Sequence, residues 1–303
     1  MVDITHKITT LRTATAQAIV KVAPETIEAI LNQTVPKGNV LEVSRTAGLF
    51  AVKNTSSVIP DCHPIPIEYT GIEFEILENT IQIDVTVKTI YKTGVEVEAM
   101  HGVSIVALTM YDMLKPIDKN VEISTVKLLH KKGGKSDFGV IKNTNLSIAV
   151  IVCSDSVSAG TKTDSSGKII IEKLEKMGLK VNQYTIIPDE MEKIQNNINS
   201  LCNQKTDLII LTGGTGLSHK DVTPEAVIPM LDRRIPGIEE AIRSYGQQRI
   251  PLAMHSRSVV GFKDDTLIMA LPGSTSGASE SIDAVFPSVL HLFQLLNGYN
   301  HGK

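Results

Sequence analysis

Three short loops in the C-terminal half of the chain carry the residue types that bind phosphate. Each follows an apolar run and is rich in glycine, serine or threonine; they cover residues 153–160, 212–216 and 271–279. Small residues let backbone N–H groups approach an anion closely, and the start of a helix adds a favourable field. Because ligands gather at the carboxyl edge of a parallel sheet, we expect these loops to converge there on a phosphate-bearing ligand. The second loop is not a Walker A motif, since no Gly-Lys-Ser/Thr follows it.

Two aspartates stand beside these loops. Asp189 follows an apolar run, and Asp221 comes just before a Thr-Pro-Glu-Ala segment typical of a helix start. Either could be an ordinary helix cap, because aspartate is common near helix starts. Their shared position at the sheet edge allows a second interpretation, in which two carboxylates hold Mg²⁺ against a polyphosphate. Spacing alone leaves both interpretations open.

The N-terminal half carries a second set of titratable candidates. They are Lys37, His63, Glu96, Glu98, Asp112, Lys115 and Lys135. Taken singly, each is also compatible with an exposed turn or the solvated face of a helix. Asp112 and Lys115 are one helical turn apart, so they form either a proton-transfer pair or a surface ion pair. Glu98 and Asp112 share a helical stripe but lie about 21 Å apart along it, so a site that uses both is elongated or crosses a subunit interface.

Alternation and helical periodicity place the N-terminal candidates in an α+β domain. The predicted elements are a strand over 14–22, helices over 24–33 and 39–58, a hairpin over 72–87, a helix over 94–115 and a strand over 121–129. The order β-α-α-β-β-α-β with an antiparallel hairpin predicts a ferredoxin-like fold.

A change in composition and hydropathy pattern separates the two halves of the chain. Residues 131–147 are rich in lysine, glycine, asparagine and serine, which is typical of a linker. We place its centre at 139–147, between an N-terminal domain over 1–138 and a C-terminal domain over 148–303. Beyond it, apolar runs alternate with helical segments, which predicts an α/β/α sandwich with a mostly parallel sheet.

Composition narrows the classes of function. A chain of 303 residues with 42% apolar and 21% charged residues is long enough for two globular domains. A net charge of −3 argues against a general nucleic-acid or membrane-surface binder. Three cysteines without metal-ligand spacing, and the lack of an apolar signal core or a membrane-length apolar segment, predict a cytoplasmic protein.

Four motifs mark the C-terminal half: VCSDSVSAG, IPDE, TGGTGLSHKDVTPEA and ALPGSTSGASESID. With them, residues 146–298 resemble the MoaB/MogA family of molybdopterin adenylyltransferases. The resemblance implies trimers or hexamers that transfer AMP from Mg-ATP to the terminal phosphate of molybdopterin and release pyrophosphate. It implies that Asp189 and Asp221 organise Mg²⁺ and phosphate. Nucleotide and pterin contacts would come from Ser154, Asp155, Gly213, Gly214, Thr215, Gly216, Ser274, Thr275 and Ser276.

Three motifs mark the N-terminal half: PKGNVLEVSRTAGLFAVKNTSSVIPDCHPIPI, KTGVEVEAMHGVSIVALTMYDMLKPIDK and LLHKKGGKSDF. With them, residues 1–138 resemble the MoaC family of cyclic pyranopterin monophosphate synthases. The resemblance implies a ferredoxin-like fold, hexamers with active sites at dimer interfaces, and conversion of a 3′,8-cyclised dihydro-GTP to cyclic pyranopterin monophosphate and pyrophosphate. It implies acid/base roles for Asp112 and Lys115, joined by Lys37. Substrate contacts would come from Asp61, Cys62, His63, Glu96, Val97, Glu98 and Lys135.

Two positions depart from the MoaC pattern. Asp61 stands where leucine usually precedes Cys-His-Pro, and Val97 stands where methionine usually separates the paired glutamates. Because the residues with implied catalytic roles are present, we interpret both departures as tuning. We therefore expect a homo-oligomeric fused enzyme for two non-consecutive steps of molybdenum cofactor synthesis. The alternative is a C-terminal half that only binds a pterin or drives oligomerisation.

Overall fold

The computed structural model describes residues 1–134, 137 and 145–296. The chain divides into two units, Met1–Gly139 and Val140–Lys303. The N-terminal unit has one apolar core, and the C-terminal unit has two, one on each face of its sheet. Each of these cores lies within one unit, as expected of separate domains. Within the described part of the chain, no helix has the length and apolarity to cross a membrane.

The N-terminal unit is an antiparallel sheet with helices on one face. Its described elements are β1 (Thr10–Lys21), α1 (Pro24–Leu31), α2 (Val40–Lys53), α3 (Thr55–Val58), β2 (Tyr69–Ile76), β3 (Thr80–Tyr91), α4 (Glu96–Leu114) and β4 (Glu122–Lys132). The strand order is β2-β3-β1-β4, with every neighbouring pair antiparallel. The long helix α4 packs against β1, β3 and β4 of this sheet.

Alternating residues explain which face of the sheet is covered. In β1, Ala14, Ala16, Ala18 and Val20 are fully buried, and they face the same core as Ile81, Ile83, Val85 and Val87 of β3. Small side chains in β1 leave room for α4 to approach the sheet closely. The core side chains of α4 include Ala99, Val103, Val106 and Met110.

Two predicted boundaries in this unit were wrong. The helix expected over 39–58 is two helices, because Asn54 leaves the helical conformation (φ −108°, ψ 14°) and its side-chain amide donates to the carbonyl of Phe50. The strand β4 runs to Lys132, inside the segment 131–147 that composition assigned to a linker. Pairing of Lys132 with Thr13 of β1 continues the ladder there, so lysine-rich composition was misleading.

The C-terminal unit is a mostly parallel α/β domain, as predicted. Its described elements are β5 (Ile148–Cys153), α5 (Asp155–Ser158), α6 (Ser166–Lys176), β6 (Val181–Ile187), α7 (Met191–Asn203), β7 (Leu208–Thr212), α8 (Thr223–Val227), β8 (Arg233–Arg234), α9 (Pro236–Gln247), β9 (Val259–Lys263), β10 (Thr266–Leu271), α10 (Thr275–Val285) and α11 (His291–Leu296). The strand order is β6-β5-β7-β10-β9-β8. The first four strands are parallel, and β9 and β8 add an antiparallel edge.

Helices cover both faces of this sheet. Ile148 and Val150 of β5 pack with α6, α9 and α10, whereas Ala149 and Ile151 pack with α7 and α8. Successive side chains of a strand point to opposite faces, so a continuous apolar run requires two apolar layers. Two details differ from the sequence expectation: α5 precedes α6, and the helix expected through the Thr-Pro-Glu-Ala segment continues past α8 only as a short 3₁₀ turn.

Candidate active sites

The three glycine-rich loops of the C-terminal unit meet at Gly213. They follow β5, β7 and β10, which are neighbouring parallel strands. The Gly213 N–H donates to the carbonyl of Leu271 (3.2 Å), and the Thr212 hydroxyl donates to that of Pro272 (2.8 Å). A side chain at position 213 would clash with the Cys153 carbonyl, and the backbone φ of 108° at Gly213 also favours glycine. The structure therefore brings these loops to one edge of the sheet.

Asp189 is half-buried against the second of these loops. A Cβ atom at Gly214 would lie 2.8 Å from Asp189 Oδ1, so only glycine lets the carboxylate sit there. Asp189 Oδ2 accepts from the N–H of Asp155, and Asp155 Oδ1 accepts from the N–H of Asp189, both at 3.1 Å. Asp189 Oδ1 is buried and has no hydrogen-bond partner in the described structure.

The surroundings of Asp189 disfavour its charged form. Burial raises the pKa of its carboxyl group, and the neighbouring carboxylates of Asp155 and Asp221 act in the same direction. A buried carboxylate oxygen without a donor is costly unless a cation approaches it. The arrangement therefore fits a site for a divalent cation better than a purely structural role.

Asp221 closes the second loop. Its Oδ2 accepts from the N–H of Ser218 (2.8 Å), and its own N–H donates to the Ser218 carbonyl (2.9 Å). A Cβ atom at Gly216 would lie 2.8 Å from Asp221 Oδ2, so the carboxylate faces the glycine backbone. In the described chain, neither Asp189 nor Asp221 caps the helix that follows it, because α7 and α8 have no side-chain cap; Asp189 accepts instead from the first N–H of α5.

Two carboxylates at this edge match the way proteins hold Mg²⁺. Magnesium is usually held by one or two carboxylates, with substrate phosphates and waters completing its shell. No cluster of three or more His, Cys, Asp or Glu side chains suited to a metal ion occurs among the described residues. Asp189 and Asp221 would thus hold Mg²⁺ together with phosphate oxygens, and Ser154, which caps α5, lies with Asp155 beside them.

The third loop opens a cavity of about 180 Å³. Ser274 caps α10 by accepting from the N–H of Gly277, and the Thr275 hydroxyl lies 2.6 Å from that of Ser165. Ser274 and Ser276 line the cavity. Four polar residues that were not among the predicted site residues line it as well: Arg243, Ser256, Glu280 and Ser281. They come from α9, α10 and an irregular segment, and no spacing in the sequence links them.

In the N-terminal unit, Lys37, Asp112 and Lys115 form one cluster. Lys37 Nζ lies 2.6 Å from Asp112 Oδ2, and Lys115 Nζ lies 2.7 Å from Asp112 Oδ1. Hydrogen bonds from Lys115 and Lys37 lower the pKa of Asp112 to about 2, and the same carboxylate raises the pKa of Lys115. All three side chains are exposed, so both ammonium groups lie beside the carboxylate at a solvent-accessible surface.

Glu98 and Cys62 form a second cluster. Glu98 is 2% exposed, and the Cys62 thiol donates to its Oε1 at 3.1 Å. Burial raises the pKa of both groups; the Glu98 carboxylate contributes further to Cys62, whose pKa reaches about 12. The thiol is therefore neutral near pH 7 and acts here as a hydrogen-bond donor, since a thiolate is needed for nucleophilic chemistry.

A basic cavity of about 380 Å³ lies at the start of α4. Its lining includes five basic residues, Lys7, Arg12, Lys92, Lys131 and Lys132, and two acidic ones, Glu96 and Asp137. Lys131 Nζ lies 3.0 Å from Glu96 Oε1. Burial lowers the pKa of Arg12, which the Glu96 and Asp137 carboxylates oppose. The excess of cations suits a polyphosphate; the sequence analysis missed Arg12 and assigned Lys131 to a linker.

The other predicted residues lie outside these contacts. His63 Nε2 is 2.8 Å from the carbonyl of Val2, and Asp61 Oδ1 is 3.0 Å from the amine of Met1. The Asp61 side chain is 90% exposed, so its charge costs little there. Val97 is exposed as well. The predicted contact Lys135 lies outside the described residues.

One chain does not bring the N-terminal clusters together. Glu96 and Glu98 lie in the first turn of α4, and Asp112 lies in its last turn. A helix of 19 residues is about 28 Å long. The Asp112 cluster and the basic cavity therefore stand at opposite ends of one helix, as the spacing in the sequence predicts.

Comparison with known proteins matches both units. Residues 1–134 match the MoaC family, and residues 149–291 match a family described as a probable molybdopterin binding domain. The "Molybdenum cofactor biosynthesis bifunctional protein" of Chlorobaculum tepidum is 40% identical over 99% of this chain and 96% of its own length. The protein of the same name from Synechococcus elongatus is 35% identical over 100% of this chain and 99% of its own.

A shorter relative matches the N-terminal unit at a higher sequence identity than the two bifunctional proteins do. The "Cyclic pyranopterin monophosphate synthase" of Clostridium perfringens is 51% identical over 138 residues, which are 45% of this chain and 87% of that protein. The two full-length relatives have both units in one chain, as this protein does. This chain therefore belongs to the family of bifunctional molybdenum cofactor biosynthesis proteins, with a MoaC domain followed by a molybdopterin-binding domain.

Proposed function

We propose that each unit is an enzyme. The N-terminal unit converts (8S)-3′,8-cyclo-7,8-dihydroguanosine 5′-triphosphate to cyclic pyranopterin monophosphate and pyrophosphate. The C-terminal unit transfers AMP from Mg-ATP to molybdopterin. The observation that supports adenylyl transfer is the Oδ1 atom of Asp189, which is buried beside the glycine loop without a hydrogen-bond partner. A bound cation would compensate the charge of this oxygen. We place the two domains at residues 1–138 and 148–303, with a linker over 139–147.

The N-terminal chemistry follows from the charges at the two ends of α4. The triphosphate binds in the basic cavity, where Arg12 and Lys131 compensate its charge. Asp112 positions Lys37 and Lys115 through ion pairs, and Lys115 donates a proton to the departing or rearranging group. Cys62 and the buried Glu98 shape the floor for the guanine-derived ring.

The distance between these groups supports an assembled site. One substrate cannot span both ends of α4 within one chain. A second copy that places its Asp112 cluster against the first copy's basic cavity completes the site, and a two-fold arrangement makes two equal sites. The strand order β2-β3-β1-β4 supports the ferredoxin-like assignment of this unit.

The C-terminal chemistry follows from the three converging loops. Backbone N–H groups of Gly214, Thr215 and Gly216 receive phosphate oxygens, Gly213 lines the same turn, and the cavity beside Ser274 and Ser276 receives the pterin. Mg²⁺, when bound with ATP by Asp189 and Asp221, supplies charge neutralisation for the polyphosphate. The molybdopterin phosphate attacks the α-phosphorus of ATP, the α–β phosphoanhydride bond breaks, and pyrophosphate leaves.

The rival function is a C-terminal unit that binds a pterin without catalysis. The cavity beside Ser274 would serve such a binder equally well. The buried Asp189 oxygen favours catalysis, because a pterin binder has no use for a cation at that edge. As locations and partners, we propose the cytoplasm, from the sparse and odd cysteine content, and homo-oligomers of the chain.

Adenylyl transfer tests the C-terminal proposal. Wild type and Asp221→Ala are supplied with Mg-ATP and molybdopterin, and adenylylated molybdopterin is quantified. We expect a loss of about 100-fold or more in the variant, because a metal-holding carboxylate is removed. Asp265→Ala is the matched control, since Asp265 is exposed in the turn before β10, at the opposite edge of the sheet. Equal product from wild type and Asp221→Ala would favour the binding module.

Pyrophosphate release from the cyclised dihydro-GTP tests the N-terminal proposal. Lys115→Ala should lose about 100-fold or more, the usual contribution of a general acid. Lys21→Ala is the control, because Lys21 forms only an exposed ion pair with Glu122 on the sheet. Full activity in Lys115→Ala would remove this residue from the mechanism.

A further inference from the structure

Arg257 connects the end of an irregular segment to the glycine loop after β7. Its Nε donates to the Gly216 carbonyl (2.8 Å) and its Nη2 to the Asp221 carbonyl (2.7 Å). Its Nη1 pairs with the Glu225 carboxylate in the first turn of α8, and its backbone N–H donates to the Thr215 carbonyl (3.1 Å). One side chain, 32% exposed, therefore contacts the start of the loop, its end and the helix that follows.

The loop that Arg257 holds has few other restraints of its own. Residues 217–220 are exposed. Hydrogen bonds between Ser218 and Asp221 close a turn, but they are internal to the loop. Thr223 ties the neck of the loop to Gly213 and Gly214. Arg257 is thus the contact that fixes where the turn carrying Asp221 stands relative to the sheet.

The same segment borders the cavity beside Ser274. Ser256 lines that cavity, and its hydroxyl lies 2.9 Å from the hydroxyl of Ser258. Arg243, which also lines the cavity, donates to the Ser258 carbonyl (3.3 Å). The segment 256–258 is therefore held by Arg243 on the cavity side and by Arg257 on the loop side.

We infer that Arg257 is a positioning residue that sets the place of the Asp221 carboxylate and couples the Ser256-lined cavity to the nucleotide loop. The inference rests on the proposed function for the identity of the two ligands, a pterin and a magnesium-bound adenine nucleotide. Arginine suits the role because its planar fork donates to several spaced acceptors at once, whereas lysine offers a single nitrogen.

Hydrogen exchange on the ligand-free full-length protein tests the clamp. In Arg257→Gln, amides of residues 214–223 should exchange about 10-fold faster or more, while peptides from α10 keep their wild-type rates. In Arg257→Lys the exchange rates of these amides should lie between those of wild type and Arg257→Gln, because lysine keeps the positive charge but has only one nitrogen donor. Arg233→Gln is the control, because Arg233 is an exposed arginine on the sheet edge away from the loop. Unchanged exchange in 214–223, or a uniform increase across the C-terminal unit, would overturn the clamp.

Calorimetric titration with Mg-α,β-methylene-ATP tests its consequence. We expect Arg257→Gln to bind this analogue about 10-fold more weakly than wild type, with Arg233→Gln within about twofold. Glu225→Gln keeps both carbonyl contacts of Arg257, so it should lose much less. A loss in Glu225→Gln equal to that in Arg257→Gln would show that the ion pair, not the clamp, matters.

Saturating molybdopterin then tests the coupling. It should change the affinity of wild type for the analogue, and the change should shrink to less than about twofold in Arg257→Gln. Wild type and Arg257→Gln that bind the analogue equally would overturn this inference alone. Wild type that binds no analogue would overturn the proposed nucleotide function and this inference with it.

Discussion

In the N-terminal unit the Asp112 carboxylate lies between two lysines, whereas in the C-terminal unit one oxygen of Asp189 is buried without a donor. The first carboxylate has its pKa lowered to about 2, and the second has its pKa raised. The first site is electrostatically satisfied before any ligand arrives, and its cations remain available to the substrate. Under the proposed function a cation would bind this oxygen, and such binding would stabilise the folded protein.

The two sites also differ in how the chain assembles them. In the C-terminal unit, parallel strands bring three loops to one edge within a single chain. In the N-terminal unit, one long helix holds the Asp112 cluster and the basic cavity at opposite ends. A sheet edge gathers groups from distant parts of a sequence, whereas a helix keeps its ends apart. We therefore propose that the N-terminal site draws on a second copy and that the C-terminal site is formed within one chain.

Co-expression of two inactive variants is the strongest test of this difference between the two sites. Lys115→Ala and Lys131→Ala should each lose about 100-fold in pyrophosphate release. Co-expressed in equal amounts, they should recover about a quarter of wild-type activity, because half of randomly formed pairs are mixed and each mixed pair keeps one intact site of two. Recovery no greater than the average of the two variants would place the whole site within one chain.

The same mixture applied to the C-terminal unit should fail. Asp189→Ala and Asp221→Ala should each lose about 100-fold in adenylyl transfer. Their co-expressed mixture should stay at that level, because both carboxylates come from one chain in every site. Recovery toward a quarter of wild-type activity would mean that the C-terminal site also draws on two copies.

The alkylation rate of Cys62 tests the effect of Glu98 on its thiol in the N-terminal unit. The raised pKa of its thiol leaves very little thiolate at pH 8, so iodoacetamide should modify it slowly in the native protein. Glu98→Gln removes the carboxylate that raises this pKa and should speed the labelling about fivefold, burial still opposing it. Peptide mass spectrometry measures both rates, with Cys202 as the internal reference. Equal rates in wild type and variant would mean that Glu98 does not govern the thiol.

The unpartnered oxygen of Asp189 should be visible in stability. Burial holds its folded-state pKa above the unfolded value of about 3.9, so the carboxylate opposes folding above the raised pKa. Asp189→Asn should raise the ligand-free melting temperature of the C-terminal unit by about 2 °C near pH 7. The gain should vanish as the pH falls below about 4, where wild type is neutral too. Calorimetry measures it, with the N-terminal transition as reference, and a lower melting temperature would contradict the account.

Local spacing in the sequence predicted part of these sites. The pairing of Asp112 with Lys115 follows from helical spacing, and the convergence of the three loops follows from parallel strands. The contact of Lys37 with Asp112 joins residues 75 positions apart, so only the MoaC resemblance suggested it. That Asp189 does not cap α7 is visible only from its hydrogen-bond partners, which spacing does not contain, and its role as a metal ligand stays a prediction.

The residues that sequence reasoning missed depend on long-range pairing. Arg12 and Lys131 share a cavity because β1 and β4 pair as far as Thr13 and Lys132. Composition pointed instead to a linker at Lys131, since glycine- and lysine-rich segments are typical of linkers. Arg257 was missed for a similar reason: its three acceptors lie 32 to 41 residues away and include two backbone carbonyls, which carry no signature in a sequence.

Assaying both reactions on the same preparations tests the central claim that one chain holds two independent catalysts. Wild type, Lys115→Ala and Asp221→Ala are each assayed for pyrophosphate release from the cyclised dihydro-GTP and for adenylylated molybdopterin. We predict that Lys115→Ala loses only the first activity and Asp221→Ala only the second, each by about 100-fold. Loss of both activities in either variant, or adenylyl transfer absent from wild type, would contradict the account.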